Sequence, residues 1–179
     1  MKTDSKLLKD YYGAAYFIEE NQNKNLTVFI VDDDMIYLNT IRKKISNFNY
    51  SVYTFTSGEE CIDYLSVKPD LVLLDYHLDG VNKYAQKGDI IYEKIKSELP
   101  NTEVVMMSSD KKFQFISNLN LLKTENVVFK GNSSSTELKS IVEAADIKKG
   151  TQNLIKTFQI ISVIFIVMII SFFVYLYTG

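Results

Sequence analysis

The sequence predicts a doubly wound α/β domain built on a five-stranded parallel sheet, followed by a single helix able to cross a membrane. One observation behind the domain is that, from Leu26 onward, short apolar runs alternate five times with amphipathic stretches. Parallel neighbours need a crossover connection, so this alternation fits a parallel sheet covered by helices. A second observation is "LVLL" (71–74), an unbroken apolar run of the kind found in strands buried on both faces. The tail rests on a third. Ile160 to Tyr177 ("IISVIFIVMIISFFVYLY") contains no charge, Pro or Gly, and its 18 residues at about 1.5 Å rise reach roughly 27 Å, near the hydrocarbon thickness of a bilayer.

In residues 1–25, Leu8, Tyr11, Ala15 and Ile18 recur at helical spacing and "ENQNKN" follows as a connector. This extension is expected to hold an accessory helix, with a partner-binding helix as the alternative. "LTVFIV" (26–31) is the first strand, and Asp34 caps a helix that places Leu38, Ile41 and Ile45 on one face. "YSVYTF" (50–55) is the second strand. Ser57-Gly-Glu-Glu60 is a capping box that opens a short helix to about Leu65, and Pro69 precedes the third strand, 70–75. A helix over 88–99 stops at Pro100, and a strand follows over 102–107. A helix from about Asp110 to Leu121, a strand over 126–130 and a helix from about Ser135 to Ala145 complete the order. The expected division is an extension (1–25), a domain (26–146), a juxtamembrane linker (147–157) and a transmembrane helix (158–179).

The chain carries 20 basic and 22 acidic side chains. Lys156 is the one charge beyond residue 150, so residues 1–150 are mildly acidic, with a net charge of −3. There is neither a basic stripe nor a nucleic-acid-binding motif, which argues against DNA or RNA as the direct ligand. A lone cysteine, Cys61, excludes an intramolecular disulfide and reads as a small apolar core residue. Lys148, Lys149 and Lys156 precede the apolar helix and nothing basic follows it, so the positive-inside rule places the domain in the cytoplasm and the chain is expected to be tail-anchored.

In an open parallel sheet the ligand site lies at the carboxyl ends of the strands. Strand one ends in Asp32-Asp33-Asp34, strand three in Asp75, strand four in Ser108-Ser109-Asp110 and strand five in Lys130. Carboxylates gathered on one edge repel, and a divalent cation is the usual relief. Hard oxygen ligands on open loops suit Mg²⁺, which takes one or two carboxylates and a phosphoryl oxygen while keeping several waters. Such an ion, together with Lys130, would compensate Asp75 at the end of its apolar strand.

These residues, in this order over roughly 26–145, resemble the receiver domain of bacterial response regulators. The resemblance implies a flavodoxin-like sheet in the order 2-1-3-4-5, with Asp75 as phosphoacceptor. It implies that Asp32, Asp33, Asp75 and the backbone carbonyl of His77 hold Mg²⁺, and that Ser108 and Lys130 bind the phosphoryl oxygens and switch. His77 and Asp110 would flank the water that attacks the acyl phosphate and so modulate dephosphorylation. The implied protein is a phospho-accepting receiver of a two-component system at the bacterial cytoplasmic membrane, single-pass, with the domain on the cytoplasmic side. Its partner would be a sensor histidine kinase or a phosphotransfer protein. No enzymatic activity is expected beyond self-phosphorylation from a phosphodonor and autodephosphorylation. With no second output domain in the sequence, output would pass by contact with another protein, by dimerisation or through the tether. The alternative is a degenerate receiver that serves as a membrane scaffold without phosphoryl turnover.

Several positions depart from the family pattern. Leu78-Asp79 stands where a hydrophobic residue and proline are usual, and the segment from Asp75 to Gly88 is about five residues longer than usual. Gly131 replaces the proline that commonly follows the lysine. Val127 takes the place of the aromatic that reports switching, with Phe129 expected on the opposite strand face.

Overall fold

The structure, a computed structural model, describes residues 26–45, 50–80, 84, 86–109, 126–131 and 134–178. The expected N-terminal helix, the expected helix from Asp110 to Leu121 and Asp110 itself lie outside the described residues. Five strands, β1 (Leu26–Val31), β2 (Tyr50–Phe55), β3 (Leu71–Asp75), β4 (Glu103–Ser108) and β5 (Asn126–Phe129), form one parallel sheet in the order β2-β1-β3-β4-β5. The described helices are α1 (Met35–Ile45), α2 (Gly58–Asp63), α3 (Gly88–Glu98) and α4 (Ser134–Thr178), with a 3₁₀ turn at Leu65–Val67 after α2.

Strand alternation divides the core into two layers. Leu71 and Leu73 enter one layer with Leu38, Ile41 and Ile45 of α1 and Leu138 and Val142 of α4. Val72 and Leu74 enter the other with Cys61 of α2 and Ile91 and Ile95 of α3. Both faces of β3 are thus covered, which is why its sequence is apolar without alternation. Val127 packs on the second layer and Val128 belongs to the first. The same alternation places Phe129 on Val127's side of β5, which corrects the expectation that it faces the opposite way.

Local signals explain the helix starts. Asp34 Oδ1 accepts the N–H groups of Ile36 (2.8 Å) and Tyr37 (3.2 Å), capping α1. Ser57 Oγ accepts the Glu60 N–H at 3.2 Å, while Glu60 Oε2 accepts the Thr56 N–H at 3.3 Å, so the capping box closes one residue before the cap. Gly88 opens α3 where the helix meets the end of β3. A Cβ there would lie 2.7 Å from Tyr76 Cα and closer still to the Asp75 carbonyl oxygen. Gly88→Ala is therefore expected to cost about 1–3 kcal/mol of stability, the range for overpacking against backbone that cannot yield, and thermal denaturation would read it.

Cys61 is buried, and desolvation of its thiolate pushes the thiol up to about 12. A thiol reagent at pH 8 should therefore leave the folded chain unmodified and react only on unfolding.

The chain divides into two compact units, Met1–Ala145 and Asp146–Gly179. The second is helical as far as Thr178, and its apolar side chains are exposed. By length and composition this helix can cross a membrane. The segment expected as a linker, 147–157, is itself helical. It contains no Pro, and its one breaker, Gly150, costs a helix interior only about 1 kcal/mol.

Candidate functional site

Asp32, Asp75 and Lys130 follow Ile30, Leu73 and Val128 by two residues, and all three predecessors belong to the same core layer. Alternation therefore sends the three polar side chains to that face of the sheet, at its carboxyl edge. Backbone bonds prolong the ladder past the strand ends and fix the geometry. The Asp32 N–H donates to Phe55 O at 3.1 Å, the Tyr76 N–H to Met107 O at 2.9 Å and the Lys130 N–H to Ser108 O at 2.9 Å.

The ammonium of Lys130 lies 2.6 Å from Asp32 Oδ2 and 2.8 Å from Asp75 Oδ2. Asp32 is fully buried and Asp75 nearly so, at 3% exposure. Asp32 Oδ1 accepts the Asp34 N–H at 3.0 Å, whereas Asp75 Oδ1 is buried without a well-formed hydrogen bond. Burial, followed by the charge of Asp75, pushes Asp32 up to about 6 despite Lys130. Burial likewise raises Asp75, with Lys130 and the His77 N–H acting against it. For Lys130 the balance is reversed: burial acts to lower its pKa, but Asp75 and Asp32 together raise it further.

Asp33 completes the edge. One carboxylate oxygen each from Asp32, Asp33 and Asp75 lie within 4.8 Å of one another. Across an octahedral Mg²⁺, opposite ligands stand about 4.2 Å apart, so small side-chain adjustments would bring these oxygens onto one ion. Three carboxylates against one ammonium leave two negative charges, the charge of one divalent cation. With Asp75 Oδ1 buried and lacking a firm donor, the residues present fit Mg²⁺. Gly80, in the segment after β3, lies beside this cluster. A Cβ on Gly80 would stand 2.7 Å from Asp33 Oδ2, so a larger residue there would push the Asp33 carboxylate aside.

Ser108 is buried at the last position of β4, one residue beyond Met107, which pairs with Asp75. It is thus the final strand residue rather than the first after it, and it braces Lys130 through its carbonyl. His77 is half-buried, with its ring edge-on to Tyr76 at 4.9 Å. One neighbour of the site escaped the sequence reading. The Tyr37 ring of α1 lies 4.8 Å, centroid to Nζ, from Lys130. Its spacing, four residues before the core residue Ile41 and three after the cap Asp34, gives its layer but not its reach to Lys130.

A five-stranded parallel sheet in the order β2-β1-β3-β4-β5, with carboxylates and one lysine gathered at its carboxyl edge, defines a doubly wound α/β domain of the flavodoxin-like class, whose ligands sit at the strand ends. The profile of the response regulator receiver domain family matches residues 28–143, and the chain belongs to that family. A relative named as two-component response regulator ARR21 in Arabidopsis thaliana is 26% identical over 101 residues, 55% of this chain. The match spans only 16% of that relative's length. Among solved structures, the REC domain of AraT, a response regulator from Geobacillus stearothermophilus, is similar with a TM-score of 0.59 at 20% identity, covering 72% of this chain and 98% of that one. The BeF3-activated DrrB receiver domain is similar with a TM-score of 0.54 at 23% identity, covering 67% and 96%.

Proposed function

We propose that this chain is a membrane-tethered, phospho-accepting receiver of a two-component system. One observation carries the reading: Lys130 bridges two buried carboxylates that, with Asp33, form a cluster whose charge one divalent cation would balance. An Asp75 carboxylate oxygen would attack the phosphorus of a phosphohistidine on a sensor kinase or phosphotransfer protein. As the O–P bond forms the N–P bond breaks, and its electron pair stays on the imidazole nitrogen, which then takes up a proton. Lys130 neutralises an equatorial phosphoryl oxygen, and the Ser108 hydroxyl donates to another. Asp32, Asp33, Asp75 and the His77 carbonyl would hold Mg²⁺, which supplies charge neutralisation to the transferring group. Water attack on the acyl phosphate, flanked by His77 and Asp110, would end the signal and is the only further turnover expected. Output would pass by contact with another protein. Lys148, Lys149 and Lys156 beside the apolar helix support a cytoplasmic domain on a single-pass tether.

The full chain in detergent, incubated with acetyl phosphate and Mg²⁺, is expected to give one phosphorylated band on a phosphate-affinity gel. Excess EDTA or Asp75→Asn should abolish it, and beryllofluoride should compete with it. Labelling that persists in Asp75→Asn removes Asp75 from the role. A wild-type chain that never labels, yet stays in the membrane fraction after carbonate washing, would point to the scaffold reading instead.

A further inference from the structure

The Asp32 carboxylate organises more than its ion pair. Asp32 Oδ1 holds the Asp34 N–H at 3.0 Å, and Asp34 Oδ1 in turn holds the Tyr37 N–H at 3.2 Å. Two hydrogen bonds thus connect the carboxylate that grips Lys130 to the backbone of the residue whose ring covers it. Tyr37 is half-buried against the core layer between α1 and the sheet, and its ring centroid lies 4.8 Å from Lys130 Nζ, within cation–π range.

Lys130 needs such a wall. Its four-carbon stem is flexible, it follows the last strand residue, Phe129, and Gly131 gives the backbone after it little stiffness. An ammonium has three N–H donors, and the two carboxylates engage it at 2.6 and 2.8 Å. Attraction to a ring face consumes no donor and has little preference for direction in the ring plane. A cation held this way can move from a carboxylate to a phosphoryl oxygen without leaving its support.

We propose that Tyr37 is a positioning residue for Lys130, its ring face holding the ammonium over the Asp32–Asp75 pair and keeping it there as a phosphoryl group arrives at Asp75. The kinetic part of this proposal rests on the reading of Asp75 as phosphoacceptor. The placement of Lys130 does not.

The test uses the full chain in detergent with carbon-13 lysine, the Lys130 signal being assigned by its loss in Lys130→Met. Ring current should move the Lys130 ε-methylene resonance upfield in the wild type and in Tyr37→Phe, and release it in Tyr37→Leu. Acetyl phosphate labelling of Asp75 should be about 3- to 20-fold slower in Tyr37→Leu, the range such a contact is worth, and near wild type in Tyr37→Phe. If Tyr37→Leu does not fold, a series of increasingly fluorinated phenylalanines at position 37 weakens the ring face at nearly constant shape, and the rate should fall stepwise. An upfield resonance that survives in Tyr37→Leu, a rate indifferent to fluorination, or a Tyr37→Phe variant as slow as Tyr37→Leu overturns the proposal. If the wild type does not label at all, the phosphoacceptor reading fails, and the Lys130 resonance alone decides whether Tyr37 holds the cation.

Discussion

Lys130→Met is expected to destabilise the metal-free domain at pH 7 by about 3–5 kcal/mol, the cost of leaving buried charge without its partner. Asp32 and Asp75 are both buried, and Lys130 is the cation within ion-pair distance of each. Methionine keeps most of the stem's volume, so the loss reports charge rather than a cavity. The penalty should shrink toward pH 5, where a proton can neutralise Asp32, and also on adding Mg²⁺. Phosphoryl transfer should fall by about 100-fold or more, because a preorganised charge at the transferring group is lost. Thermal denaturation at pH 7 and pH 5, with and without Mg²⁺, checks the first part and the labelling gel checks the second. An unchanged midpoint at pH 7 in EDTA would mean that Lys130 does not compensate the pair.

Asp32→Asn should act in the opposite direction on stability. Asp32 is raised to about 6 in the fold, against roughly 3.9 in an unfolded chain. A carboxyl with a folded pKa above its unfolded value favours the folded state while protonated. That contribution is complete below about pH 4 and is lost as pH rises through 6. The metal-free wild type should therefore lose on the order of 2–3 kcal/mol between pH 4 and pH 8 through this group. Asparagine does not ionise, so the variant should be the more stable protein at pH 8 in EDTA, with the difference closing near pH 4. At the proposed Mg²⁺ site its response to the ion should nevertheless weaken by about tenfold or more, because one oxygen of the three-carboxylate cluster has been replaced. Denaturant titrations of both chains across this pH range would read the difference. A variant less stable than wild type at pH 8 without metal would sink the argument.

Much of the fold was legible because its signals are local or periodic. Apolar runs located the strands to within a residue, and Asp34 and the Ser57–Glu60 box marked helix starts that the structure bears out. Strand ends carrying Asp32, Asp75 and Lys130 could be assembled on paper because a parallel sheet brings its carboxyl ends to one edge. The Tyr37 ring was not legible as part of the site, since helical spacing gives its layer but not its reach across to β5. Sequence could not show that 147–157 continues as helix either, because a polar stretch with one glycine reads equally well as a connector. The raised Asp32 pKa follows from complete burial, a property of three-dimensional packing that no neighbouring residue encodes.

The long segment after β3 is pinned at both ends. Gly80 lies against Asp33, and the Gln86 N–H donates to Glu59 Oε1 of α2 at 2.9 Å. The Glu59 carboxylate thereby ties the approach to α3 to the first turn of α2, so that two helices on one side of the sheet share a single side-chain tether.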